Sequence, residues 1–367
     1  MAQTVEEPLP VAINGVIRAE GETDWYRFKA DKGTRYRVRA YAATLGSELD
    51  AKIRIMAAPG NPDKRVYEED DSSWASHDLI GHAYRWQVKD RLDPVCIFEP
   101  EETGWYLLSI ADTRREFSDL HVYRVEFQPH VDSAFVHFPA YPSQPLITRD
   151  RIVLYQGNTY VRPVSIQNGF GSRYDGPLRL RAEGLPEGVA MEHPSFTAKD
   201  SVIPVLFTAS ARTEPGAHLI DLLVEPESPE DRAAFRGGFV QVTPATNRRG
   251  DYAMAFNRTR KMALAVAEGA AFDLDLEDPG VALVRNGELS LKVLVNRREG
   301  FRGSVYCEID WLPRGVNKQP PLIIPSGVSE AEYRIRARED AQPGVYNLSI
   351  TGRENEGGVV RTGAGFH

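Results

Sequence analysis

Asn14-Gly15-Val16-Ile17, followed by Gly21-Glu22-Thr23-Asp24-Trp25-Tyr26-Arg27-Phe28, is the stretch that decides the fold of this chain. It reads as a short strand, a turn, and a strand that alternates aromatic with polar residues. Period-two alternation marks a strand with one buried face and one face in water. An opening β-hairpin in an all-β protein is the expectation.

The same period recurs outward from this stretch. Tyr36, Val38, Ala40 and Ala42 fall on one face of a run whose other face carries Arg37, Arg39 and Tyr41. Lys52-Ile53-Arg54-Ile55 alternates in the same way, and Val122 to Phe127 turns Tyr123, Val125 and Phe127 inward. Turn clusters separate the runs at Ala30-Asp31-Lys32-Gly33, Ala58 to Asp63, and Glu101 to Gly104. The 30 glycines and 25 prolines suit a chain with many such turns. A helical reading is confined to Glu227–Phe235, with Ser228 as N-cap and Pro229 in the first turn. Residues 252–267 read equally as helix or strand. Four prolines between Pro129 and Pro145 predict an extended linker.

The second half contains a repeat. Leu185-Pro186-Glu187-Gly188-Val189 recurs as Leu312-Pro313-Arg314-Gly315-Val316, and Glu214-Pro215-Gly216 recurs as Gln342-Pro343-Gly344. Pro186 and Pro313 are 127 residues apart, Pro215 and Pro343 are 128 apart, and the order of elements is kept. This predicts a duplicated all-β module of about 100 residues. Both motifs are turns, with Pro fixing φ and Gly accepting positive φ, and neither presents a reactive group.

A length of 367 residues fits two to four domains, and 42% hydrophobic with 26% charged residues is ordinary for a globular protein. The formal net charge of -8 comes from interspersed charges, so the sequence offers no basic face for nucleic acid. No apolar run approaches the roughly 18 residues of a membrane-spanning helix. The N-terminus lacks the basic and apolar regions of a signal peptide, so the expectation is either a cytosolic protein or an excerpt of a longer exported one. Cys96 and Cys307 lie in distant apolar runs and are expected to be buried free thiols.

Residues 11–128 resemble the bacterial pre-peptidase C-terminal domain, a small sandwich appended to secreted enzymes. The resemblance is carried by Gly15-Val16-Ile17, Asp24 to Phe28, Leu45 to Asp50, Glu69 to Ser72 and Gly104 to Asp112. Residues 146–367 resemble the immunoglobulin-like repeats of bacterial surface proteins, through the Leu-Pro-x-Gly-Val and Pro-Gly motifs. The combination is similar to exported proteins of planctomycete-type bacteria. These resemblances imply an all-β chain of three tandem antiparallel β-sandwiches, one of pre-peptidase jelly-roll type and two immunoglobulin-like. The expected divisions are 1–130, a linker at 131–145, a repeat at 146–267 and a repeat at 268–367.

The pre-peptidase resemblance also implies calcium. Asp24 matches a ligand position of that family, and Asp70 with Asp71 forms a second acidic cluster. The acidic element that usually precedes the first strand is missing, and Asp24 reads equally as a residue that pins its turn through backbone amides. The segment Ser73 to Leu92 departs from the family by its length and aromatics. Its Trp74, Tyr84 and Trp86 are read either as packing or as a surface that stacks on a ligand. His77 and His82 lack the spacing of a helical metal pair, since Gly81 intervenes. Gly169-Phe170-Gly171-Ser172 suits neither a nucleophile elbow nor a phosphate loop, and Asp132 near His130 and His137 has no nucleophile beside it. The reading is a non-enzymatic, monomeric scaffold or adhesion arm for polysaccharide, collagen-like protein or another surface protein. The alternative is a calcium-stabilised accessory domain for an attached peptidase or other hydrolase.

Overall fold

The computed structural model describes residues 2–71, 92–139, 151–244, 256–309, 311–346, 348–354 and 363–366. Among these there is no α-helix. Three apolar cores gather the strands, formed by buried residues within 13–127, 134–266 and 270–350.

The first module holds β1 (Gln3–Thr4), β2 (Val11–Val16), β3 (Thr23–Ala30), β4 (Tyr36–Tyr41), β5 (Ala51–Ala57), β6 (Val66–Glu69), β7 (Val95–Phe98), β8 (Gly104–Asp112) and β9 (Val122–Pro129). One sheet runs β1-β3-β8-β5-β6 and the other β2-β9-β4-β7. The expected opening hairpin is therefore not a hairpin: β2 pairs with β9 and β3 with β8, in opposite sheets. Alternation identifies a strand and its buried face but not its partner. Here Ile13 from β2 and Tyr26 and Phe28 from β3 enter one core from two sides. Phe28 sits at the centre, 4.7 Å from Phe127 and 5.8 Å from Phe98 between ring centroids.

The second module holds β10 (Asp132–His137), β11 (Arg151–Tyr155), β12 (Thr159–Asn168), β13 (Leu178–Glu183), β14 (Val189–Glu192), β15 (Val202–Ala209), β16 (Gly216–Pro226), β17 (Phe235–Phe239), β18 (Gln241–Pro244), β19 (Phe256–Thr259) and β20 (Lys261–Ala267). The strands follow β11-β20-β16-β13 and β17-β10-β12-β15-β14, and a single pair between Leu223 of β16 and Gly238 of β17 joins the two runs into one continuous sheet. The segment expected as a linker thus contributes β10. Ala134, Val136 and Phe138 alternate into the core, and their burial outweighs the extended-linker tendency of the nearby prolines. The expected helix at Glu227–Phe235 shrinks to a 3₁₀ turn at Asp231–Ala234, because Phe235 is buried as the first residue of β17. In 252–267 the described residues are strands, with Met262, Leu264 and Val266 buried in alternation.

The third module holds β21 (Phe272–Leu276), β22 (Glu288–Arg297), β23 (Val305–Ile309), β24 (Val316–Lys318), β25 (Leu322–Ile324), β26 (Glu330–Ala337), β27 (Leu348–Glu354) and β28 (Gly363–Phe366). Its sheets run β21-β22-β26-β24 and β28-β27-β23-β25. A single bridge, Thr159 to Gly363, joins β12 to β28. Among the described residues pairing is antiparallel apart from three parallel contacts, β1 with β3, β10 with β17, and β11 with β20. Cys96 and Cys307 are free and buried, and burial pushes both thiols up to about 12.

The sequence repeat is reproduced bond by bond. The strand set β12-β15-β14 corresponds to β22-β26-β24, and β13-β16 to β23-β27. In the Leu-Pro-x-Gly-Val turn, Val189 N–H donates to Pro186 O at 3.1 Å and Val316 N–H to Pro313 O at 3.1 Å. Gly188 and Gly315 have φ of 84° and 85°. The carbonyl of Gly188 accepts from Ser210 N–H at 2.9 Å, and that of Gly315 from Arg338 N–H at 2.8 Å.

The two glycines differ in what surrounds them. A Cβ on Gly315 would lie 2.5 Å from the Ala341 backbone, whereas one on Gly188 would meet the rotatable Thr213 hydroxyl at 2.6 Å. Positive φ costs either alanine variant about 1–2 kcal/mol. Gly315→Ala is expected to destabilise its module by more than Gly188→Ala does, measured by urea unfolding of the two variants.

Candidate functional site

Asp24 is held by the interior of the first module. Gly15 stands opposite Tyr123 across β2 and β9, and a Cβ on Gly15 would fall 2.2 Å from the Tyr123 hydroxyl oxygen. The tyrosine ring therefore lies over the glycine, an arrangement that compensates a strand glycine for its missing side chain. The Tyr123 hydroxyl donates to Asp24 Oδ2 and sits 2.7 Å from the Tyr26 hydroxyl. With its proton directed at Asp24, Tyr123 accepts from Tyr26. Burial, then the hydrogen bond to Asp24, pushes the Tyr123 hydroxyl well above the ordinary tyrosine range, so it remains a donor. Asp24 thus ties β3 of one sheet to β9 of the other, rather than capping its own turn.

Asp70 and Asp71 are elsewhere. Asp24, Ile110, Ile53 and Glu69 form one row across the sheet. Three strand spacings place Asp70, beside Glu69, roughly 14 Å from Asp24. An ion with oxygens at about 2.3–2.6 Å spans no such gap, so Asp24 and the Asp70–Asp71 pair do not share one calcium. The Asp71 N–H donates to Asp70 Oδ1 at 2.7 Å, closing a local turn. Among the described residues no group of three His, Cys, Asp or Glu side chains converges as a metal site. Trp74, Tyr84 and Trp86, with His77 and His82, lie outside the described residues. Of the other aromatics, Tyr106 is buried while Trp105 faces outward beneath the Arg27 guanidinium, 4.4 Å from its ring centre.

The buried carboxylates serve the backbone. Asp93 Oδ1 accepts from the Ala42 and Ala43 amides at 2.9 and 2.8 Å. Asp112 accepts from the amides of Asp50, Arg114 and Glu116. Burial alone would raise the Asp63 carboxyl. The amides of Arg65 and Glu101 and the Tyr106 hydroxyl outweigh that and hold it below the ordinary carboxylate range.

Residues singled out near the expected linker meet at the junction of the first two modules. Asp132 Oδ1 lies 3.2 Å from Arg35 Nη1 and accepts from the Arg173 amide at 2.9 Å. Arg173 Nη2 pairs with Glu99 Oε2 at 2.8 Å. Gly171 packs so tightly on Ile97 that a Cβ would come within 2.5 Å of it, and Ser172 Oγ accepts from Ser133 N–H at 3.1 Å. The glycine-rich segment is thus a docking turn. His130, its side chain 5% exposed, stands 3.7 Å from Asp132. Burial, and then the Arg35 charge, hold its imidazole below the ordinary histidine value.

The second junction opens a cleft of about 1120 Å³ between the two repeats. Its floor is the outer face of β23 and β27, where Arg353 lies over Tyr306 at 4.0 Å. Trp311 and Tyr346 form one wall, with ring centroids 6.3 Å apart. Arg162 comes from the other repeat, its guanidinium 4.2 Å above Phe138. Sequence reading placed the candidate aromatics in the first module and missed this cleft. The available signal was the difference between the repeats: Trp311 stands where the first copy has Gly184, Tyr306 where it has Arg179, and Arg353 where it has Glu225. In the first copy Glu225 is closed by Arg179 at 3.2 Å and Arg181 at 2.6 Å. In the second, Arg353 faces a tyrosine.

No protein-family model matches the chain, and no curated protein does. Among solved structures, it is similar to the pre-peptidase C-terminal domain of a collagenase from Bacillus anthracis, at 10% identity over 35% of this chain and 95% of that one, with a TM-score of 0.23. It is similar to domains 4–9 of the surface layer protein SbsC at 11% identity, over 82% of this chain and 42% of that one, with a TM-score of 0.25. The D00-D0 domain of intimin matches at 10% identity over 63% of this chain and 96% of that one, with a TM-score of 0.21. At such identities and scores none of these likenesses assigns a family or a role.

Tyr123→Phe removes the donor to Asp24 and the acceptor for Tyr26 while keeping the ring over Gly15. It is expected to cost about 1–3 kcal/mol, read by chemical denaturation. For His130 the unfolded chain binds a proton more readily than the folded one, so stability is full above the ordinary value near 6.5 and falls as pH drops below it. His130→Gln is expected to flatten the stability profile between about pH 7.5 and about pH 5.5.

Proposed function

We propose that this chain is a non-catalytic β-sandwich arm of an exported bacterial protein, holding that protein in place or presenting it to a surface. The observation that carries this reading is the use made of the interior polar groups. Asp63, Asp93 and Asp112 direct their oxygens at backbone amides, and Asp132 and Glu99 at the arginines of a module junction. Carboxylates engaged in this way brace a framework. The duplication supports the same reading, since one turn geometry is kept while the outer face changes. A constant scaffold with a varied surface is how binding modules diversify.

The exported setting follows from the resemblance of residues 11–128 to the pre-peptidase C-terminal domain. The partners that suit such an arm are polysaccharide or a protein of the cell surface. Calcium has less support, because Asp24 is engaged by Tyr123 and stands far from Asp70 and Asp71.

Two measurements test the reading. Unfolding midpoints in millimolar calcium and in chelator are expected to coincide, because only a ligand bound to the native state raises them. A rise of several degrees would restore the calcium-stabilised accessory domain. Deleting the region from the parent protein is expected to displace that protein from its surface without changing its activity in solution. Unaltered targeting would sink the proposal.

A further inference from the structure

We propose that the cleft between the second and third modules binds an acidic oligosaccharide, a run of sugar rings bearing carboxylates. This goes beyond the scaffold reading and rests on it only in taking the cleft as a binding surface.

The charge of the cleft points to an anion. Cations from both repeats line it, while among the described residues its acidic side chains are Asp200 and Glu308. Both acids are engaged locally. Asp200 Oδ2 accepts from the Thr197 amide at 2.7 Å and the Thr197 hydroxyl at 3.0 Å, and Glu308 Oε1 pairs with Lys318 Nζ at 2.7 Å. Lys199 and Arg314 form no ion pair among the described residues, and Arg353 is stacked on Tyr306. In a chain of net charge -8, this is a locally positive recess that concentrates anions. Arginine adds geometry to charge, because its planar fork matches a carboxylate with two parallel bonds.

The shape points to sugar rings. Trp311 and Tyr346 present broad, partly exposed faces at 56° to each other, and such amphipathic rings accept apolar C–H faces while their surroundings stay wet. The volume of about 1120 Å³ exceeds the roughly 300–1,000 Å³ of small-molecule pockets, so an oligomer fits better than a monosaccharide. An acidic peptide is disfavoured by the backbone. Peptides commonly add to a free sheet edge. Here β23 is paired by β25 and β27, and β27 by β23 and β28. The first repeat acts as an internal control: at the matching positions Arg179 and Arg181 are paired with Glu225 and, through Arg181, with Glu183, and Gly184 supplies no ring.

The test is calorimetric titration of the full chain with tetragalacturonate, with neutral cellotetraose and with hexaglutamate. Tetragalacturonate is expected to bind, and to weaken by about tenfold as salt rises from about 50 to about 300 mM. Arg314→Glu and Trp311→Ala are each expected to weaken it at least about tenfold. Arg314 is exposed, so its variant keeps the wild-type unfolding midpoint even if loss of Trp311 disturbs the third core. Equal binding of cellotetraose would overturn the charge argument, and tighter binding of hexaglutamate would overturn the sugar. Failure to bind tetragalacturonate would overturn the proposal outright while leaving the scaffold reading to its own deletion test.

Discussion

The first module depends on one crowded contact. The Tyr123 ring occupies the space where a side chain of residue 15 would stand, and its hydroxyl reaches Asp24 and Tyr26 on the opposite sheet. Hydrophobic burial brings two sheets together without choosing how they slide past each other. A directional bond between them does choose, because a slip of one residue in β3 would turn both Asp24 and Tyr26 away from Tyr123 and put Trp25 and Arg27 in their place. The effect reaches past the sandwich. β9 carries Tyr123 near its start and runs directly into His130 and Asp132, so fixing β9 also fixes where the second module is clamped.

The two junctions are built differently. Between the first and second modules, Arg35, Glu99, Asp132 and Arg173 close on one another, and Gly171 allows close approach to Ile97. Charges used in this way are satisfied internally. Between the repeats, the contact is a cleft in which Lys318 pairs with Glu308 and Arg353 stacks on Tyr306, while Lys199 and Arg314 form no ion pair among the described residues. The contrast is a consequence of duplication. Turn bonds and positive-φ glycines were held constant because they set the sandwich. The exposed cross-strand pair was free to change from an ion pair, Arg179 with Glu225, to a stacked pair, Tyr306 with Arg353.

Much of this was legible from the residues. Tyr36, Val38 and Ala40, and likewise Tyr123, Val125 and Phe127, are buried as their alternation required. The repeated Leu-Pro-x-Gly-Val motifs are turns with matching geometry. Other features were not legible, each for an identifiable reason. The prolines around β10 resembled a linker because alternation over Ala134, Val136 and Phe138 is short and leads to Pro139. Asp24 read as a calcium ligand through its match to a family position, and its hydrogen-bond partner, 99 residues away in sequence, was not visible there.

The sequence by itself determined the class of structure: period-two runs, turn residues at fixed spacing and a duplicated motif leave little besides stacked β-sheets. Only the tertiary structure decided partners. It put β2 and β3 in different sheets, converted Asp24 into a tie between layers, and set Trp311 and Arg353 against the neighbouring repeat. The physical reason is that alternation and turn propensity are local. Strand pairing, inter-sheet bonds and clefts between modules depend on which distant residues are brought together, and a single sequence carries no distances between them.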